Sequence, residues 1–220
     1  MLVDINLESA QETQSMIENT GQSCYRLETD LAEVKNPEAE GIIKQCLSKF
    51  GGLDILVNNA GIIRRKPTIE FLEEDWQSVI DINLNSAFYL CQAAGRYFLA
   101  NEKKGKIINL ASMLSYQGGY MVPSYTATKS ALSGLTRALA NEWAQWGINV
   151  NAIAPGYFTT EVTAGIRSDE VRNRAVLDRI PAGHYGDPND LKGAVVFLAS
   201  AASDYVHGAV IPVDGGWLAR

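Results

Sequence analysis

Residues 53–61 read LDILVNNAG. The core of the stretch, Ile55-Leu56-Val57, is apolar and rich in branched side chains, and it closes on two asparagines, an alanine and a glycine. A short apolar run of this kind is what a parallel strand covered on both faces requires, and small residues at its carboxyl end let a ligand approach the backbone. The same pattern recurs in GKIINLAS (105–112), INVNAIAPG (148–156) and GAVIPVDGG (208–216). Between the runs lie stretches of helical period. One opens at Asp75-Trp76 and continues through Val79, Ile80, Leu84, Phe88 and Leu90. Another begins near Ser124, carries Leu132, Leu135, Leu139 and Trp143, and stops at Gly147, as a C-terminal glycine should.

Strands alternating with helices predict an α/β protein built on a doubly wound parallel sheet, as one domain over residues 1–220. Ligands of such sheets gather at the carboxyl ends of the strands, which singles out Asp4, Asp30, Asn58 to Gly61, Ser112 and Pro155-Gly156. The chain carries a net charge of −6, with its 19 Lys and Arg scattered, which argues against nucleic acid and anionic membrane as partners. Cys24, Cys46 and Cys91 form no CxxC and have no His cluster near them, so they read as reduced thiols and not as a disulfide frame or metal site. No run of apolar residues is long enough to span a membrane, and MLVDINLESAQET lacks a basic leader, so the expectation is a soluble cytoplasmic protein.

Tyr125 and Lys129 stand in SYTATK, four residues apart and just after Pro123. On a helix that spacing puts both on one face. A free phenol titrates near about pH 10, and a cation within about 4–6 Å would lower that value and make the phenol a usable general acid/base. Alone, the pair reads as a surface tyrosine beside a solvated lysine. Ser112, thirteen residues before Tyr125 at the end of the IINLAS run, changes that reading, because strand end and helix start would converge on one crevice.

Taken together, NNAG at Asn58 to Gly61, N-x-x-x-x-F at Asn83 to Phe88, Ser112, Y-x-x-x-K at Tyr125 and Lys129, and PG-x-x-x-T at Pro155, Gly156 and Thr160 resemble the short-chain dehydrogenase/reductase family. The resemblance covers essentially the whole chain. It implies a Rossmann-like fold and hydride transfer between a nicotinamide and an alcohol or ketone. By it, Tyr125 exchanges a proton with the substrate oxygen and Ser112 hydrogen-bonds that oxygen. Lys129 holds the nicotinamide ribose and lowers the Tyr125 pKa, and Asn83 supports a water-linked proton path; no metal is needed. It further assigns Asn58, Ala60, Gly61, Pro155, Gly156, Phe158 and Thr160 to the cofactor, and implies a dimer or tetramer built on the helices carrying Asn83 and Tyr125. Phe88, Tyr97, Phe98, Trp143 and Trp146 are consistent with such an interface or with core packing.

NNAGIIRR, ASMLSYQGG, VPSYTA, LDRIPAG and VDGGWLAR are similar, more narrowly, to the 2-deoxy-D-gluconate 3-dehydrogenase and 2-dehydro-3-deoxy-D-gluconate 5-dehydrogenase subgroup. A sugar-acid substrate follows from that likeness. Arg64 and Arg65 could reach its carboxylate, or be a solvated loop pair; His184 stands where the subgroup is expected to carry arginine. The segment from Thr159 to about Arg179 would cap the substrate. Other readings are a gluconate 5-dehydrogenase, a 3-oxoacyl-carrier-protein reductase on the same scaffold, or a binding or assembly module without catalysis.

Asp4, at the end of the opening MLVD run, resembles the acid that holds the adenosine ribose hydroxyls and repels a 2′-phosphate, which implies NAD(H). Its other reading is a cap for the following helix. Asp30 would contact the adenine, with Leu31 packed beside it. No G-x-x-x-G-x-G or G-x-G-x-x-G occurs among the 19 glycines, so the resemblance puts the family's first strand, glycine turn and first helix upstream of residue 1. On that expectation the sheet has two unpartnered edges, and the chain as written is poorly soluble or partly unfolded and binds NADH weakly.

Overall fold

The computed structural model describes residues 1–220. Its strands are all parallel and fall into two sheets. β1 (Leu2–Asp4) pairs with β2 (Arg26–Glu28), while β3 (Ile55–Asn58), β4 (Gly105–Leu110), β5 (Ile148–Pro155) and β6 (Val210–Val213) follow one another in a second sheet. The helices are α1 (Ser9–Glu18), α2 (Asn36–Phe50), α3 (Glu73–Ile80), α4 (Ser86–Ala100), α5 (Pro123–Trp143), α6 (Glu161–Arg167), α7 (Glu170–Leu177) and α8 (Lys192–Ala199). Pro123 opens α5 where its missing N–H costs nothing, and Gly147 ends the stretch beyond it at φ 73°.

The strand period of two sends neighbouring side chains into opposite layers. Ile107 of β4 packs with Ile148 and Val150 of β5 against Ile42 and Ile43 of α2, Leu90 and Phe98 of α4, and Leu139 and Trp143 of α5. Its neighbour Ile108 joins Ile153 and Leu198 of α8 on the other face. Helices on both faces are the doubly wound arrangement that the strand–helix alternation predicts. Phe98 and Trp143 are core residues, so of the aromatics considered for an interface it is Phe88 and Trp146 that stay exposed.

Two expectations need correction. The run from Asp75 is helical throughout but not uniform: α3 and α4 are joined without a break by a π-helical turn at Asp81–Asn85, a widening that is common at functional sites. Nor is every apolar run covered on both faces. β5 is buried at all residues but its last, whereas Ile55 and Val57 of β3 remain 42% and 41% exposed. The cause is pairing: β3 has a ladder partner in β4 alone, and β1 has one in β2 alone. Between the two sheets runs a largely apolar groove of about 560 Å³, lined by residues of β1, β3, α1, α2 and α4. No helix is long and apolar enough to cross a membrane.

Candidate active site

Ser112 lies two residues past the end of β4 and caps the short turn that follows, its Oγ accepting from Leu114 N at 3.2 Å. Helix α5 is tied to this strand end by two bonds. Lys129 Nζ donates to the Leu110 carbonyl at 2.6 Å, and Ser115 Oγ donates to the Lys129 carbonyl at 2.6 Å. One turn earlier on the same helix, Tyr125 therefore faces the serine across the crevice, and both line one cavity of about 390 Å³. Strand end, turn and helix thus meet as the spacing predicts.

The electrostatics differ from the expectation. Burial pushes the Tyr125 phenol above its ordinary value, and the Ser112 hydroxyl pulls it only partly back. Lys129 makes no hydrogen bond to the phenol: its ammonium sits over the ring face, 5.4 Å from the centroid, and donates to the Leu110 carbonyl. Lys129 is itself 4% exposed, and burial brings its pKa down to about 8.

Asn83, buried in the π turn, clamps the segment after NNAG. Its Oδ1 accepts from Ile62 N at 2.8 Å while its Nδ2 donates to the Ile62 carbonyl at 2.9 Å. Gly61 lies beside it: a Cβ there would be in ordinary contact, 3.4 Å from Asn83 Oδ1 and 3.6 Å from Lys129 Nζ. Asn58 lines the groove between the two sheets and is also tied into a buried polar network. Its amide is buried and donates to Asn109 Oδ1 at 2.8 Å and to Cys91 Sγ at 3.2 Å; Asn109 in turn donates to Thr136 Oγ1 at 2.9 Å. This network fixes β3, β4 and α5 relative to one another, and polar bonds inside an apolar core specify register strongly. The Cys91 thiol, pushed up to about 12 by burial, is inert.

Asp4, Leu31, Asn58 and Ala60 line the 560 Å³ groove together. Asp4 is not a helix cap: its Oδ1 accepts from Asn6 N at 2.8 Å, and Asn6 supports the start of α1. Asp30 caps the turn at Leu31–Glu33 through Ala32 N at 2.9 Å and does not line the groove. At the end of β5, Gly156 is in contact with the last strand's loop so closely that a Cβ would come within 2.6 Å of Asp214 Cα, so only glycine fits after Pro155. Phe158 is buried against Gly186, and Thr160 caps α6, its N–H donating to Thr163 Oγ1 at 3.3 Å.

The 390 Å³ cavity is closed by α6, α7, the turn after α7 and the chain end, which contribute Val162, Thr163, Ile166, Arg172, Val176, Arg179 and Trp217. The segment 159–179 thus lies over the Ser112–Tyr125 pair. Of the arginines expected there, Arg65 lines the cavity and Arg64 does not; Arg64 Nε sits 3.4 Å from Asp75, which also pairs with Lys66. His184 lies outside it, exposed, its Nδ1 2.8 Å from the Tyr185 carbonyl oxygen. Arg172, Arg179, Tyr157 and Trp217 were not singled out by the sequence. The signal for Arg179 was available: it has no acidic residue three or four positions away, whereas Arg174 has Asp178.

Fold and crevice define a parallel α/β protein with a hydroxyl–phenol pair at the carboxyl edge of its sheet. A family model described as Enoyl-(Acyl carrier protein) reductase matches residues 1–218. A 2-dehydro-3-deoxy-D-gluconate 5-dehydrogenase of Escherichia coli K12 is 52% identical over 219 residues, covering 100% of this chain and 86% of the relative. An Agrobacterium tumefaciens structure with bound NADP, provisionally called a 2-deoxy-D-gluconate 3-dehydrogenase, superposes with a TM-score of 0.88 at 51% identity, over 96% of this chain and 82% of that one. A Beutenbergia cavernae structure with bound NADP, provisionally called an NAD(P)-dependent gluconate 5-dehydrogenase, gives 0.90 at 45% identity, over 97% and 84%. The chain belongs to the short-chain dehydrogenase/reductase family.

Proposed function

We propose that this protein is an oxidoreductase that interconverts a hydroxyl and a keto group on a deoxy or keto sugar acid, with a nicotinamide dinucleotide as cofactor. The observation that carries the reading is the meeting of Ser112 and Tyr125 in one cavity, with Lys129 a helical turn beyond. The substrates in the relatives' names support the sugar-acid part.

The groove that Asp4, Leu31, Asn58 and Ala60 share suits an adenosine, being largely apolar with a carboxylate at its rim. Asp4 is the one charged side chain in that lining, so ribose hydroxyls find an acceptor and a 2′-phosphate meets a like charge. This favours NAD(H). The two solved relatives named above hold NADP, so the preference rests on Asp4 and not on likeness. When bound, the dinucleotide supplies or accepts the hydride. The rest belongs to this chain. Tyr125 donates its proton to the carbonyl oxygen being reduced, and the burial that keeps the phenol protonated at neutral pH suits that direction. Ser112 Oγ–H donates a second hydrogen bond to the same oxygen and stabilises the charge developing there. Asn83 holds the segment after Gly61 in place through Ile62, and Lys129 Nζ, bonded to the Leu110 carbonyl, lies beside Gly61. Copies associate through surfaces that include the exposed Phe88 and Trp146, a point sedimentation would check.

The test supplies the protein with NAD⁺ and 2-dehydro-3-deoxy-D-gluconate, or with NADH and either 5-keto-D-gluconate or an acetoacetyl thioester, and follows NADH absorbance. Turnover of a sugar acid and none of the thioester is expected. Thioester turnover alone, or no turnover by a chain that melts cooperatively, overturns the reading.

A further inference from the structure

The cavity above Ser112 and Tyr125 has an unbalanced lining. Its charged residues are Arg65, Arg172 and Arg179, and no Asp or Glu lines it. In a chain with 25 acidic and 19 basic residues, three cations without one acid is a local reversal of the average. The ion pairs of the protein all lie elsewhere: Arg64 and Lys66 with Asp75, Arg96 with Glu40, Lys103 with Asp54, Lys106 with Asp204, and Arg174 with Asp178. Arg172 is close enough to act on Arg65, and Arg179 acts with both of them on Tyr157. Desolvation and then Arg172 lower the Arg65 pKa, and all three pull against the burial that raises Tyr157. Like charges held together without a counter-ion cost free energy unless an anion joins them.

Two of the three are held in position by neutral groups. Arg65 Nη1 donates to the Tyr120 carbonyl at 3.2 Å, and the next residue, Lys66, donates its N–H to the Met121 carbonyl at 3.0 Å. Arg179 lies over the Trp217 ring at 4.1 Å and donates from Nη2 to Gln117 Oε1 at 3.1 Å. The half-buried Arg172 has no side-chain hydrogen bond at all, so its whole donor fork is free. A separate observation points the same way. Trp217, 4% exposed and part of the lining, has an indole N–H with no acceptor. Free guanidinium donors and an unused indole N–H are what a carboxylate with neighbouring hydroxyls would satisfy.

We propose that Arg65, Arg172 and Arg179 are the carboxylate-recognition end of the substrate cavity, with Arg172 the specificity-determining residue, and that Arg64 and His184 take no part. The proposal rests on the sugar-acid reading and narrows it. The substrate lies with its carboxylate on the arginines and its reacting carbon at Tyr125 and Ser112. Molecules lacking the carboxylate are discriminated against by the repulsion left among the arginines.

The test compares wild type, Arg172→Ala, Arg172→Lys and Arg174→Ala, the last being an exposed ion-paired residue of the same helix outside the cavity. Each is measured for KM and kcat with 2-dehydro-3-deoxy-D-gluconate and with its uncharged primary amide, and for binding of both without turnover, by tryptophan fluorescence. A hydrogen bond to a charged group is lost, so Arg172→Ala should raise KM and Kd for the acid about 10- to 100-fold with kcat little changed. The amide should bind both proteins equally, Arg172→Lys should recover part of the loss, and Arg174→Ala should match wild type. An unchanged KM and Kd for the acid in Arg172→Ala, an equal loss for acid and amide, or no binding of the acid by wild type overturns the proposal. Wild type that binds the acid in an Arg172-dependent way yet turns over no sugar acid sustains it and sinks the functional reading instead.

Discussion

Strands β3 and β5 read alike as sequence, ILVN and INVNAIAP, and the fold uses them in opposite ways. β5 lies between β4 and β6 and is buried along nearly its whole length; β3 has β4 on one side and the open groove on the other. An apolar run specifies that a strand can be covered, while its neighbours decide whether it is. The difference divides the function too. The crevice of Ser112, Tyr125 and Lys129 hangs on the covered half, where every supporting bond is made within the chain. The groove lined by Asp4 and Ala60 hangs on the open half, where two ladders stop at their edges.

The largest effect should come from the covered half. Replacing Tyr125 by Phe removes the group that gives the proton in the proposed reaction and deletes a buried hydroxyl whose partner, Ser112, keeps its bond to Leu114 N. A loss of about 10²–10⁴ in kcat is expected with the melting temperature nearly unchanged, measured by turnover and calorimetry on the same sample. A loss of fold alongside activity would mean that the crevice is not preassembled, and the contrast between halves would fail.

Stability should divide the same way. Phe98 is fully buried in the larger core, and Phe98→Ala should cost about 3–5 kcal/mol. Val57, 41% exposed on β3, has less to lose, and Val57→Ala should cost under about 1 kcal/mol by denaturant unfolding. Similar costs for the two would show that the open edge is covered in solution, by a second copy or another segment.

The covered half was the part legible in sequence. Period, the proline before Ser124 and the glycine at 147 placed α5, and four-residue spacing put Tyr125 and Lys129 on one face. What sequence could not show was direction. The Lys129 ammonium turns to the Leu110 carbonyl instead of the phenol oxygen, and Asn58 points into the core to meet Asn109. Both outcomes depend on partners more than fifteen residues away, which no local pattern encodes. Arg64 and Arg65 were equivalent as neighbours in a loop until Asp75 took one of them. The π turn that carries Asn83 leaves no sign in the apolar period around it.

Lys129 belongs to the covered half and supplies a pH test. With its pKa at about 8 in the fold against 10.5 ordinarily, it is charged in both folded and unfolded chains below about pH 8, where the fold carries the full cost of burying a cation. Between those values the unfolded chain binds more protons, so stability rises with pH, by roughly 3 kcal/mol at most. Lys129→Met should therefore be inactive yet more stable than wild type at pH 7, by about 1–3 kcal/mol, with the gain vanishing toward pH 10.5. A gain that does not depend on pH would place the ammonium in water, outside the covered half.

The smallest effect belongs to the groove. Asp4 stands at the end of a three-residue strand, its carboxylate held by Asn6 N alone among side-chain contacts, so its removal should leave the crevice untouched. On the proposed cofactor reading, removing the carboxylate takes away an acceptor for ribose hydroxyls and the charge that opposes a 2′-phosphate. Asp4→Ser, which keeps a hydroxyl able to cap the same turn, should weaken NADH binding and improve NADPH binding, moving the ratio of their dissociation constants by about tenfold, or ~1.4 kcal/mol. The shift should be measured by fluorescence titration, because binding isolates the groove from proton transfer at Tyr125. An unchanged ratio would mean that the adenosine does not reach Asp4, and that the open half binds the dinucleotide elsewhere or not at all. A changed kcat at saturating cofactor would mean that the halves are coupled, and that covering the edge of β3 is itself part of building the crevice.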